Sequence, residues 1–128
     1  MRQLISSGTT WEEIVGYSRA IRIGNVVEVA GTTAVDDKGN VVGLNDAGEQ
    51  TRFILQKIER ALVEAGATMQ DVVRTRMFVV DVRQWEAVGR AHGEFFRAVK
   101  PVATMVEVSA LINPELLVEI EVTAVIDE

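Results

Sequence analysis

At 128 residues, 48% of them apolar and 25% charged, the chain is sized for one hydrophobic core, a single domain over residues 1–128. That composition excludes a disordered, collagen-like or low-complexity chain. Its 13 Lys and Arg against 19 Asp and Glu give a net charge of −6, which argues against nucleic-acid and membrane-surface partners, since phosphates and anionic lipid heads are repelled. Cysteine is absent, which removes a disulfide framework, a thiol nucleophile and a Cys-ligated metal.

In chain order, Met1 to Val15 lacks the apolar run of about 7–15 residues of a secretory signal, and no stretch approaches the ~20 apolar residues of a membrane span. A cytoplasmic protein is expected. Thr10-Trp-Glu-Glu13 reads as a capping box that opens a short helical turn over Trp11–Val15. Ser18–Ile23 and Val26–Gly31 are β-rich runs joined by Gly24-Asn25, a pair suited to a tight hairpin. Val35–Gly48 carries turn chemistry without a period and reads as a surface loop.

Asp46-Ala-Gly-Glu49 is a second capping box, followed by a helical stripe of Thr51, Ile54, Leu55, Ile58, Ala61, Leu62 and Ala65 that Gly66 stops. Val72–Val80 is a strand, and Asp81 caps a helix with the stripe Trp85, Val88, His92, Phe95, Phe96 and Val99, ended by Lys100-Pro101. Strands at Thr104–Ser109 and Leu117–Val125 close the chain around Asn113-Pro114. The order ββ-α-β-α-ββ predicts an α/β (α+β) two-layer sandwich with two helices on one face of a mixed sheet.

Alternation then divides the sheet's two faces. Val118, Ile120 and Val122 lie opposite Glu119, Glu121 and Thr123; Val106 and Val108 oppose Met105 and Glu107; Val27 and Val29 oppose Glu28 and Ala30. The middle strand sends Thr75, Met77 and Val79 one way and Arg74, Arg76, Phe78 and Val80 the other. The face left uncovered by helices is expected to mix Glu28, Glu107, Glu119 and Glu121 with Arg74 and Arg76 among Ala30, Met105, Phe78 and Val80. Two readings stand: a solvated face, or sheets of several copies packed face to face with small-ligand clefts between them. The apolar patch of Phe78, Val80, Met105 and Val26 favours the oligomer.

The chain resembles the reactive intermediate deaminase (Rid, YjgF-like, L-PSP) family over nearly its whole length. The pattern lies in Gly16-Tyr17-Ser18, Gly24-Asn25-Val-Val, Ala30-Gly31, Gln50-Thr51, Ala65-Gly66-Ala-Thr, Asp71-Val-Val-Arg-Thr, Phe95-Phe96, Pro101, Val106-Glu107-Val108 and Val118-Glu119-Ile120-Glu121. The resemblance implies a chorismate-mutase-like fold and a homotrimer with ligand clefts between subunits. It also implies hydrolysis of imines or enamines to 2-oxo acids and ammonia, with no metal or organic cofactor.

The family's carboxylate-gripping arginine sits in a Pro-Ala-Arg-Ser/Thr motif, which here reads Pro101-Val102-Ala103-Thr104. Ala103 replaces the arginine. A methyl group cannot imitate a bidentate guanidinium, and losing such a pair costs on the order of several kcal/mol. Standard 2-iminopropanoate deamination is therefore argued against. The family's pocket asparagine aligns with Gly89, and the serine before the hairpin glycine, Gly31, is Ala30; Tyr17 and Glu119 match. Two outcomes follow for the cleft: a neutral, cationic or less polar ligand, or replacement of the lost cation by Arg76.

Glu119 is the candidate catalytic base or water-positioning group, with an interfacial salt bridge to Arg74 or Arg76 as the alternative. Tyr17 is a ligand hydrogen-bonder or a half-buried edge aromatic. The lone His92, with no second ligand at helical spacing, reads as packing with one satisfied nitrogen, and no metal site is expected. No nucleophile elbow or phosphate loop occurs, and the acidic charge gives no support to the ribonuclease role of an older family label. The functional classes left open are a cofactor-independent imine/enamine hydrolase and a non-catalytic trimer that binds a metabolite or a protein.

Overall fold

The computed structural model describes residues 2–127. Strand β1 (Arg2–Ile5) is followed by helix α1 (Thr10–Val15) and the hairpin β2 (Ala20–Ile23) and β3 (Val26–Thr32), turned at Gly24, which takes a φ of 60°. Helix α2 (Ala47–Glu64), strand β4 (Val72–Val79), helix α3 (Trp85–Phe96) and strands β5 (Val102–Glu107) and β6 (Val118–Val125) complete the order. The strands form one six-stranded sheet, β1-β2-β3-β6-β4-β5, antiparallel except for the β4–β5 pair. Among the described residues no helix is long and apolar enough to cross a membrane.

The two long helices pack side by side against one face of the sheet, where the core lies. Ile54, Leu55, Ile58 and Leu62 of the α2 stripe are wholly buried, each contributing about 1.5–3 kcal/mol of apolar transfer. They meet Val27 and Val29 of β3 and Val118, Ile120 and Val122 of β6. Asp46 caps α2 by accepting the Glu49 amide proton at 3.0 Å, while the Glu49 carboxylate turns to Arg52 instead of closing a reciprocal box. The buried Gln50 ties the helix to the chain before β6, donating to the Gly43 and Glu115 carbonyls and accepting from Leu117 N at 2.8 Å.

Several expectations are corrected. The chain begins with an unforeseen edge strand, β1, too short to show a period. The first helix has Thr9 as N-cap without a side-chain cap, because the buried Glu12 reaches back to accept from Ser7 N at 3.1 Å and Ser7 Oγ at 2.5 Å. Burial works against that charge, but the serine hydrogen bonds outweigh it and hold the Glu12 carboxyl below its usual range. Trp85 does not join the buried stripe; it is 60% exposed at the start of α3, and Val88, Ala91 and Phe96 form the buried face.

The phase of β5 is also reversed. Met105 pairs in register with the buried Met77 and packs against the core, whereas Val106 pairs with Phe78 and is 42% exposed on the open face. Glu107 lies on the helix side and accepts the Val82 amide proton at 2.9 Å. An edge strand this poorly buried offers no strong apolar face, so alternation alone leaves its two phases nearly equivalent. The uncovered face thus carries Val102, Thr104 and Val106 in place of Met105 and Glu107.

Candidate functional site

At one end of the open face, β3 bulges. Val29 pairs with Val122 and Thr32 with Ile120, so Ala30 and Gly31 together oppose Glu121. A bulge bends its strand and re-aims neighbouring side chains, which is why bulges gather beside active sites. Here it brings the Gly31 backbone against the side chain of Glu119 on β6. A β-carbon on Gly31 would stand 2.3 Å from Glu119 Oε2, so the carboxylate occupies space that only glycine leaves free. Burial pushes the Glu119 carboxyl up, with Arg19 opposing the shift and Glu121 adding to it.

Tyr17 and Arg19 stand beside this bulge. The left-handed Gly16 ends α1, and the chain then runs into β2. The Arg19 amide donates to Ile5 O at 2.8 Å, and the Arg19 carbonyl accepts from Ala30 N at 3.0 Å. The Arg19 guanidinium lies with its Cζ 5.8 Å from the centre of the Tyr17 ring and donates from Nη2 to the Gly31 carbonyl at 2.6 Å. Tyr17, Arg19, Ala30, Gly31 and Glu119 therefore form one continuous cluster. A shallow depression of about 480 Å³ runs from Tyr17 and Ala30 past Glu28 to Arg76 and Glu121.

Arg76 lies on the same face, but its guanidinium is engaged with Glu121 at 3.2 Å. Glu28 accepts from the Thr123 hydroxyl at 2.6 Å. The remaining sequence candidates lie elsewhere. Thr104 pairs in register with Arg76, and Ala103 with the buried Thr75, both on the edge strand β5. Two strand spacings, about 10 Å, separate β5 from β6 and Glu119. Gly89 lies in α3, in the helix layer, with open space where a β-carbon would be. A single chain thus brings Tyr17, Ala30, Gly31 and Glu119 together and leaves Ala103, Thr104 and Gly89 apart from them.

His92 is packed as expected: Nε2 is 2.9 Å from the Thr75 hydroxyl, the ring lies 4.7 Å from that of Phe96, and burial pushes its pKa down. Among the described residues no three His, Cys, Asp or Glu side chains gather to hold a metal ion.

Two cations were passed over in the sequence. Arg19 carries a readable signal, since it directly precedes β2 and the strand's alternation, carried back one residue, puts it in phase with Ile21 of the open face, two residues from Tyr17. Lys57 on α2 carried none. It donates to the Thr33 and Val35 carbonyls at 2.8 Å each, and burial, with the Arg19 charge, pulls its pKa down to about 8. It fastens the start of the loop after β3 to the helix layer.

A family model described as Endoribonuclease L-PSP matches residues 8–126. An uncharacterized protein of Streptomyces coelicolor is 41% identical over 121 residues, 94% of this chain and 89% of that protein. The 3-aminoacrylate deaminase RutC of Acinetobacter baylyi is 30% identical over 119 residues, 93% of this chain and 94% of its own. Among solved structures, Rv2704 of Mycobacterium tuberculosis, described as a member of the YjgF/YER057c/UK114 family, has a TM-score of 0.89 at 51% identity, covering 98% of this chain and 100% of that one.

Proposed function

The chain belongs to the L-PSP, or Rid/YjgF, family, and from that membership we propose that it binds and hydrolyses a small imine or enamine in clefts between the subunits of a homotrimer. The observation that carries this reading is Glu119, a carboxyl raised by burial and seated in a glycine-lined bulge at the edge of an open sheet face. A carboxylate tuned upward is a better proton acceptor near neutrality than an ordinary glutamate. The relative named as a 3-aminoacrylate deaminase supports the same reaction class.

In the proposed reaction Glu119 takes a proton from water as the oxygen attacks the imine carbon, and the C=N π electrons move to nitrogen, which takes a proton from solvent water. The resulting carbinolamine returns its hydroxyl proton to solvent as the C–N bond breaks, while Glu119 gives its proton to the leaving nitrogen. One imine and one water yield one carbonyl compound and one ammonia. The Tyr17 hydroxyl orients the substrate.

The trimer supplies what one chain lacks. Tyr17, Ala30, Gly31 and Glu119 form one wall, and Gly89, Ala103 and Thr104 of a neighbouring copy face them. The exposed Val26, Val102, Val106 and Val125 and the half-buried Phe78 of the open face become buried, which removes an apolar surface that a monomer would leave in water. The test is a coupled assay for ammonia or 2-oxo acid released from freshly generated imines. Turnover above buffer that Glu119→Gln abolishes supports hydrolysis.

A second reading, a non-catalytic metabolite-binding or protein-interaction trimer, rests on the family resemblance, which sets Ala103 where the family's substrate arginine would be. Absence of turnover together with ligand-dependent thermal stabilisation supports that reading.

A further inference from the structure

Resting on the cleft just described, we infer that Arg19 is its anion receptor, so that this protein reads a small carboxylate from the β2–β3 side of the site and not from the strand that carries Ala103.

The geometry is that of a cation held for a missing partner. The guanidinium has five N–H donors. Among the described residues its protein hydrogen bond is the one from Nη2 to the Gly31 carbonyl, and Nε is shut off from solvent without any acceptor. Leaving such an N–H unpaired costs about 1–3 kcal/mol, and Nη1 likewise has no acceptor among the described residues, so the guanidinium has donors to offer an incoming oxyanion. Among the described residues no carboxylate lies within ion-pairing distance of Arg19, whereas Arg76, on the same sheet face, is paired with Glu121.

Its surroundings suit a small anion. The Tyr17 ring covers one side, and Glu119, the proposed proton-transfer group, is close enough for the two charges to influence each other. The backbone around Arg19 is fixed by ladder hydrogen bonds to β1 and β3, so the cation is positioned before a ligand arrives. An oxyanion docked on the free guanidinium edge would receive charge-assisted hydrogen bonds and set the rest of a short molecule against Glu119. Arg76, which shares this face with Arg74, already spends its charge on Glu121.

The experiment compares 2-oxobutanoate with its neutral amide by calorimetric titration against the intact protein, the Arg19→Gln and Arg19→Lys variants, and Glu119→Gln. The wild type is expected to prefer the acid by at least tenfold. Arg19→Gln should lose that preference while still binding the amide as the wild type does, and Arg19→Lys should keep part of it. Thermal melts run alongside, and the Arg19→Lys arm, which preserves both charge and donor, carries the test if Arg19→Gln unfolds.

Equal binding of acid and amide by the wild type, no binding of either, or a preference that survives Arg19→Gln or vanishes fully in Arg19→Lys overturns the inference. The hydrolysis reading fails separately. Arg19-dependent acid binding without ammonia release leaves the receptor and removes the chemistry. Ammonia release that Glu119→Gln abolishes, with a KM indifferent to Arg19→Gln, does the reverse.

Discussion

Gly31→Ala isolates the relation between the β3 bulge and Glu119. The substituted β-carbon would lie 2.3 Å from Oε2 and 3.1 Å from Cδ of Glu119, so the carboxylate must retreat by roughly 1 Å to restore contact distance. Gly31 is outside the left-handed region, so alanine fits the backbone, and the group displaced is the end of a flexible side chain. The cost is therefore an off-rotamer glutamate, about 1 kcal/mol, which lowers the melting temperature by only a few degrees.

Function should suffer far more. A displacement of about 1 Å in a positioned reacting group can cost on the order of 10²-fold in rate. Ammonia release, thermal melting and a carbon-13 NMR titration of the Glu119 carboxyl measure the three consequences. The expected result is a folded variant with rate reduced about a hundredfold and a Glu119 titration moved back toward that of an exposed glutamate. A Gly31→Ala protein that hydrolyses and titrates like the wild type refutes the placement of Glu119 against the bulge.

Other expectations concern the scaffold. Gly66→Ala should lose about 1–2 kcal/mol, because Gly66 has a φ of 90° and its β-carbon would meet Arg22 Nη1 at 2.5 Å, while Gly89→Ala in open helix should gain up to about 1 kcal/mol; urea unfolding compares them. His92 is held below its ordinary pKa, so the unfolded chain takes up its proton first as pH falls. That contribution to stability is present above about pH 6.5 and declines below it, and His92→Phe should flatten this part of the stability–pH profile. Thr75→Val leaves the His92 ring nitrogen without its partner and should cost about 1–3 kcal/mol by the same measurement. Arg76→Glu sets a like charge beside Glu121; in an isolated chain that exposed pair is worth little, but in the proposed trimer it should split the packed sheets, seen in light scattering as a fall toward 14.1 kDa.

Periodicity sufficed for the core. The stripe from Ile54 to Leu62 and the alternation of Val118, Ile120 and Val122 identified the two buried faces because strong burial imposes a single phase on a helix or strand. The same signal failed where burial is weak: β1 is four residues at a sheet edge, β5 is exposed along most of its length, and Trp85 begins its helix outside the packed face. Tyr17, Ala30, Gly31 and Glu119 were legible as candidates through family resemblance. The bulge that seats Glu119 against Gly31 was not, because it depends on how β3 registers with a strand nearly ninety residues later.

By itself the sequence determined an acidic α+β fold and the faces of its main helices and strands, since composition, period and residue identity are local properties. Only the tertiary structure decided that Arg76 is already paired with Glu121 and that Arg19, just before β2, stands beside Tyr17 and Glu119 with a donor unmet. Which charges meet and which stay unpaired follows from strand order and register, set by packing between segments far apart in the chain.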